Sequence, residues 1–158
     1  MNGKPVLIAL SSSGTPDEAI SFAVERARKD NTGVVALYLL DTDLSKEASD
    51  AFTDSGFIGD KPSSELSESL MREYRQRGYE ELGRVQVKAM EAGVAFEPLM
   101  EEGEFVANIL DNIIKYNIQC AVIIGRRKNV ILKYFSRSLA DEVKSKAGCE
   151  VVVFEENA

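Results

Sequence analysis

Gly125-Arg126-Arg127-Lys128 is the stretch whose residue types could hold a charged ligand: a glycine leaving an apolar run, followed directly by cations. Ser138 stands further on, at the head of a helical pattern. A glycine at a strand exit, basic side chains and a helix N-terminus are the parts of a phosphate site, because free backbone N–H groups and positive charge converge on one oxyanion. The same residues also suit a solvated basic loop. Neither G-x-x-x-x-G-K-[ST] nor G-x-G-x-x-G occurs, so a P-loop ATPase and a dinucleotide enzyme are both unsupported. A second candidate, Ser11-Ser12-Ser13-Gly14, could offer hydroxyl and backbone N–H groups to an anion, although these are also ordinary turn residues.

Catalysis finds little to work with. The chain has no histidine, which removes Ser-His-Asp and Cys-His nucleophiles, imidazole general bases and most zinc sites. A serine nucleophile would need a lysine base, but no S-x-x-K spacing exists and Lys4 lies at the wrong end of its strand. Cys120 and Cys149 are too few for a four-thiolate site and lack C-x-x-C spacing; both sit in apolar runs and read as buried thiols in a reducing compartment. Glu65, Glu68, Glu73, Glu80 and Glu81 read as the solvated face of a helix, and Asp41 and Asp43 are not expected to bind metal. The expectation is a binding or interaction protein, not an enzyme.

The elements that must position these residues follow from hydrophobic periodicity. Val6 to Leu10 and Val34 to Leu40 are continuous apolar runs, the pattern of strands buried on both faces of a parallel sheet. Between them, Thr15-Pro16-Asp17-Glu18 predicts a capping box opening a helix with Ile20, Ala23, Val24 and Ala27 inward, stopped at Asn31-Thr32-Gly33. Residues 43–63 read as an insertion or long loop. A long amphipathic helix is predicted over Ser64 to Ala92, with Gly78 and Gly83 as points of bending or interruption. Val94 to Met100 reads as a strand that Pro98 consigns to a sheet edge. A helix carrying Val106, Ile109, Leu110, Ile113 and Ile114, a strand over Ile118 to Ile124, a helix from Ser138 to Lys146 and a strand from Glu150 to Phe154 complete the chain.

Alternating strands and helices predict an α/β fold: an open parallel five-stranded sheet, order 3-2-1-4-5, with helices on both faces. The whole chain, residues 1–158, fits one domain, and its 44% hydrophobic and 28% charged content suits a globular protein over a disordered or membrane one. In such sheets ligands bind beyond the carboxyl ends of the strands where the order reverses. That switch lies between strands one and four, which brings the serine-rich turn and the loop after Gly125 together. Net charge is −7, against general nucleic-acid binding; yet Arg126 to Lys146 is locally basic. No targeting segment is apparent, no run is long enough to span a bilayer, and a cytoplasmic location is expected. The last strand, Val151-Val152-Val153-Phe154, would be an apolar sheet edge if unpaired, and pairing it across a twofold axis predicts a homodimer.

These residues together resemble the universal stress protein family over nearly the whole length. The resemblance rests on Val-Leu-Ile-Ala-Leu followed by a serine-rich turn, Leu37-Tyr38-Leu39-Leu40-Asp41, Glu101-Glu102-Gly103-Glu104, Ile123-Ile124-Gly125, and Ser138-Leu139-Ala140 running into Ala147-Gly148-Cys149-Glu150-Val151-Val152-Val153. It implies a Rossmann-like domain, commonly a homodimer, acting in stress physiology as a nucleotide-responsive or protein-interaction module. The family's ATP-binding branch carries G-x2-G-x9-G-[S/T] after strand four and an aspartate after strand one. Gly125 matches the first glycine and Ser138 the serine, while Lys128 and Arg137 stand at the other glycines, with one residue fewer between them, and Ser11 at the aspartate. The resemblance carries binding positions to Ser11, Leu39, Gly125, Arg127, Lys128, Arg137, Ser138 and Leu139. The expectation is a non-catalytic dimeric stress-response or signalling module, with an unidentified protein partner, no membrane and no family-type tight ATP binding. The alternative is a stress protein that binds ATP or AMP, or another small anion, through the altered loop 125–138.

Overall fold

A computed structural model describes residues 3–12, 14–41, 60–125 and 139–155. In chain order they form β1 (Val6–Leu10), α1 (Asp17–Lys29), β2 (Val34–Asp41), α2 (Asp60–Ala92), β3 (Phe96–Gly103), α3 (Phe105–Lys115), β4 (Cys120–Gly125), α4 (Leu139–Lys146) and β5 (Glu150–Glu155). The strands make one parallel sheet in the order β3-β2-β1-β4-β5, the predicted topology. The central strands are apolar throughout because both faces are covered. Val6, Ile8, Val34, Ala36, Tyr38, Cys120 and Val122 pack under α1 and α2; Leu7, Ala9, Val35, Leu37, Ala121 and Ile123 pack under α3 and α4. Pro98 lies on β3 opposite Ala36, at the sheet edge.

Three helices stop in the same way. Asn31 (φ 53°), Gly93 (φ 68°) and Asn117 (φ 54°) enter the left-handed region. The next residue's N–H then reaches back to a carbonyl of the last turn: Thr32 to Ala27 at 2.9 Å, Val94 to Ala89 at 2.8 Å and Ile118 to Ile113 at 2.9 Å. This is the Schellman closure, which satisfies carbonyls the helix end would leave open and turns the chain into the next strand.

Several local expectations are corrected. The capping box does not form. Pro16 is the N-cap residue of α1 and its ring has no acceptor to offer as a cap; the Thr15 hydroxyl turns back to accept the Ser11 N–H at 3.0 Å. α2 begins at Asp60, inside the stretch read as a loop, with Pro62 in its first turn, where N–H groups have no helical partner to lose; residues 43–59 of that stretch lie outside the described residues. α2 also runs unbroken through Gly78 and Gly83. Gly78 serves close approach: a Cβ built there would lie 2.6 Å from Met100 Cε and 2.6 Å from Tyr38 Cδ1, so its absence seats the helix on the ring.

That ring carries the one buried side-chain polar atom without a hydrogen bond among the described residues, the Tyr38 hydroxyl. Burial pushes the Tyr38 phenol from 10.0 up to about 12. The neutral phenol is therefore favoured by folding. The corresponding stability is fully present below pH 10.0, its unfolded value, and is lost as pH rises toward about 12. Tyr38→Phe removes an unpaired hydroxyl and is expected to raise stability by about 1 kcal/mol and to flatten that alkaline decline. Denaturant unfolding at neutral and alkaline pH checks both.

Candidate functional site

Parallel strands deliver their carboxyl ends to one rim, and the order reverses between β1 and β4. Ala9 pairs with Ile123, so Ser11 and Gly125, each two residues further along, leave the sheet at the same level. Leu39 faces this rim from β2, opposite Glu101 on β3, and is half-buried. Leu139 opens α4 and is exposed. Arg127, Lys128, Arg137 and Ser138 lie outside the described residues. The fold thus brings Ser11, Leu39, Gly125 and Leu139 to the carboxyl end of the sheet.

Gly125 is not required for backbone freedom, since its φ is not positive. A Cβ there would lie 3.2 Å from Val153 Cγ1, so this glycine lets β5 pack closely against the end of β4. The positive φ belongs to Gly14 (φ 106°), which closes the β1–α1 turn by donating its N–H to the Ser11 carbonyl at 3.3 Å.

The same turn is held from across the molecule. The Thr15 N–H, on a residue 1% exposed, donates to Glu81 Oε1 at 2.6 Å. Arg84 Nη1 donates to Glu81 Oε2 at 2.7 Å, and Arg84 Nη2 lies 2.5 Å from Asp17 Oδ1 at the start of α1. Glu81 is only 8% exposed, which corrects its assignment to a solvated face. The sequence held a signal for this: Glu81 falls with Tyr74, Gly78, Val85 and Ala89 on the inward stripe of α2. An acid on a buried stripe needs partners to offset its desolvation, and Arg84 and the Thr15 N–H provide them.

A second polar cluster lies where β3 meets α3. Buried Asn112 donates through Nδ2 to Glu101 Oε2 at 3.1 Å and to the Asn108 carbonyl at 2.9 Å. It ties the Glu101-Glu102-Gly103 strand end to the helix that follows. At the opposite end of the sheet, Arg26 on α1 pairs with Glu150 of β5 at 2.7 Å and with Asp30 at 2.9 Å.

The two thiols sit near that lower end. Cys120 pairs in register with Glu150, the residue after Cys149, but Cys120 packs under α1 and α2 while Cys149 packs on the α3–α4 face. Alternation across a strand keeps the two side chains apart. Burial, reinforced by the neighbouring Glu150 carboxylate, pushes the Cys120 thiol up to about 12, and burial also raises Cys149. Protonated thiols are poor nucleophiles. Iodoacetamide at neutral pH is expected to label half-buried Cys149 slowly and Cys120 only on unfolding, as mass spectrometry of the intact protein would read. Among the described residues, no group of three or more His, Cys, Asp or Glu side chains could hold a metal ion, and no helix is long and apolar enough to cross a membrane.

A model of the universal stress protein family matches residues 3–155. No curated protein matches in sequence. Among solved structures, the chain is similar to universal stress protein UspA from Lactobacillus plantarum (19% identity, 98% of this chain and 99% of that one covered, TM-score 0.63). It is similar to a universal stress protein from Archaeoglobus fulgidus in complex with dAMP (19%, 97% and 98%, TM-score 0.61). It is also similar to a universal stress protein family protein from Arabidopsis thaliana with AMP bound (16%, 99% and 94%, TM-score 0.60).

Proposed function

The chain belongs to the universal stress protein family, and within it we propose that this protein is a non-catalytic, dimeric stress-response or signalling module of the cytoplasm that does not hold ATP tightly. The observation that carries the reading is the state of β5. It pairs with β4 on one side, and its other edge meets no strand among the described residues. Val151, Val152 and Phe154 are half-buried and Val153 is exposed. An apolar edge of this kind invites a second strand. Antiparallel pairing with β5 of a second copy about a twofold axis covers Val151, Val152, Val153 and Phe154 on both chains.

Where the ATP-binding pattern asks for glycines, this chain has Lys128 and Arg137. A Cβ and a long side chain at those positions crowd the approach of backbone N–H groups to phosphates. Ser11 in place of an aspartate removes a charged acceptor, and with no histidine the crevice has no imidazole base.

The second reading is an adenine-nucleotide-binding stress protein that uses Gly125, Arg127, Lys128, Arg137, Ser138 and Leu139 in an altered way, with Ser11 and Leu39 on the facing side. The structures solved with dAMP and AMP favour it. A panel of ATP, ADP and AMP with and without magnesium separates the two. The first reading expects a purified protein with no excess 260 nm absorbance and no thermal shift at millimolar nucleotide; the chain has no tryptophan, so carried nucleotide would be conspicuous. A saturable shift with any of the three establishes the second.

A further inference from the structure

Glu81 is a buried carboxylate on α2 whose partner in α1's approach lies 66 residues away in sequence. Its Oε1 takes the N–H of Thr15, and the Thr15 hydroxyl in turn takes the N–H of Ser11, the first residue beyond β1. Its Oε2 is held by Arg84, which also holds Asp17 in the first turn of α1. One side chain from a distant helix therefore fixes both ends of the turn that forms one wall of the crevice. Gly78, one turn earlier on α2, lets the helix sit closely on Tyr38.

From this geometry we infer that Glu81 is the positioning residue of the crevice: it transmits the seating of α2 to the Ser11–Thr15 turn and fixes the face that the turn presents to a ligand. The inference rests on the reading of the β1–β4 switch as the ligand crevice. The carboxylate also has a consequence for ligand choice. The Thr15 N–H is already taken by an internal anion, and Asp17 and Glu18 add negative charge in the first turn of α1. The Thr15 N–H is therefore not available to a ligand anion, and Arg84 offsets part of the acidic charge beside it.

The experiment is residue-resolved amide hydrogen exchange on the full chain. Glu81→Ala removes the acceptor and is expected to speed exchange at Ser11 and Thr15 by about tenfold or more, with Ile8 and Leu37 in the sheet unchanged. Glu81→Gln keeps a side-chain carbonyl for the Thr15 N–H and restores most of the protection. Should Glu81→Ala not fold, Thr15→Val provides the second arm: it removes the hydroxyl acceptor, so Ser11 exchange rises while Thr15, still bonded to Glu81, stays protected. Unchanged exchange at Ser11 and Thr15 in Glu81→Ala overturns the inference, as does a uniform rise that includes Ile8 and Leu37, the mark of a merely structural role. In the Thr15→Val arm, an unchanged Ser11 overturns it. AMP titration of the wild type runs beside these arms: absence of binding there bears on the crevice reading alone, since the exchange result stands without ligand.

Discussion

Replacing Gly78 with alanine is expected to destabilise the protein, whereas the same replacement at Gly83 on the same helix is expected to stabilise it. At Gly78 the new Cβ would stand 2.6 Å from Met100 Cε, 2.6 Å from Tyr38 Cδ1 and 2.8 Å from Tyr38 Cε1; at Gly83 nothing lies within 4 Å. The Met100 methyl is the end of a flexible chain and can swing away. The Tyr38 ring is 1% exposed, anchored on β2 between two neighbouring strands, and cannot move without disturbing the sheet. Overpacking of this kind costs about 1–3 kcal/mol, while alanine gains up to about 1 kcal/mol of helix propensity over glycine. The net expectation is a loss of about 1–2 kcal/mol at Gly78 and a gain of about 0.5–1 kcal/mol at Gly83. Urea unfolding of the two variants reads the opposite signs directly, and equal shifts in one direction would remove the seating role assigned to Gly78. Because Glu81 lies one turn beyond Gly78, the Gly78 variant should also loosen the Ser11–Thr15 turn.

Val153→Asp is expected to abolish self-association while leaving each chain folded. Val153 is 40% exposed and belongs to neither hydrophobic cluster, so the isolated domain loses about 1 kcal/mol, the span of strand preference between valine and aspartate. In a β5–β5 pair the same side chain lies close to the twofold axis. There an aspartate meets its own symmetry mate or is desolvated, and either weakens association by several kcal/mol, on the order of 100-fold or more in dissociation constant. Circular dichroism should show a folded chain, and analytical ultracentrifugation should show a monomer. A variant that remains a dimer places the interface elsewhere.

The strands and their order were readable because a parallel sheet covered on both faces demands continuous apolar runs, and Pro98 could sit only at an edge. What escaped the sequence were choices made by tertiary contact. Thr15 carries every mark of a capping residue, but its hydroxyl accepts the Ser11 N–H in place of an α1 amide, and its own N–H goes to Glu81. Gly78 looks like a helix breaker until Tyr38 and Met100 are placed beneath it. Glu81 looks like a surface acid until its place on the inward stripe is weighed against that of Glu80, which is exposed. Of the candidate site, the fold shows Ser11, Leu39, Gly125 and Leu139 at the carboxyl rim. The cations that drew attention first, Arg127, Lys128 and Arg137, lie outside the described residues.

The central claim, a module that works as a dimer built on β5, is tested most directly by light scattering coupled to size exclusion on the wild-type protein at micromolar concentration. A dimer paired through β5 has a mass twice the chain's 17.4 kDa, and that is the expected result. A mass of 17.4 kDa across that range would contradict it.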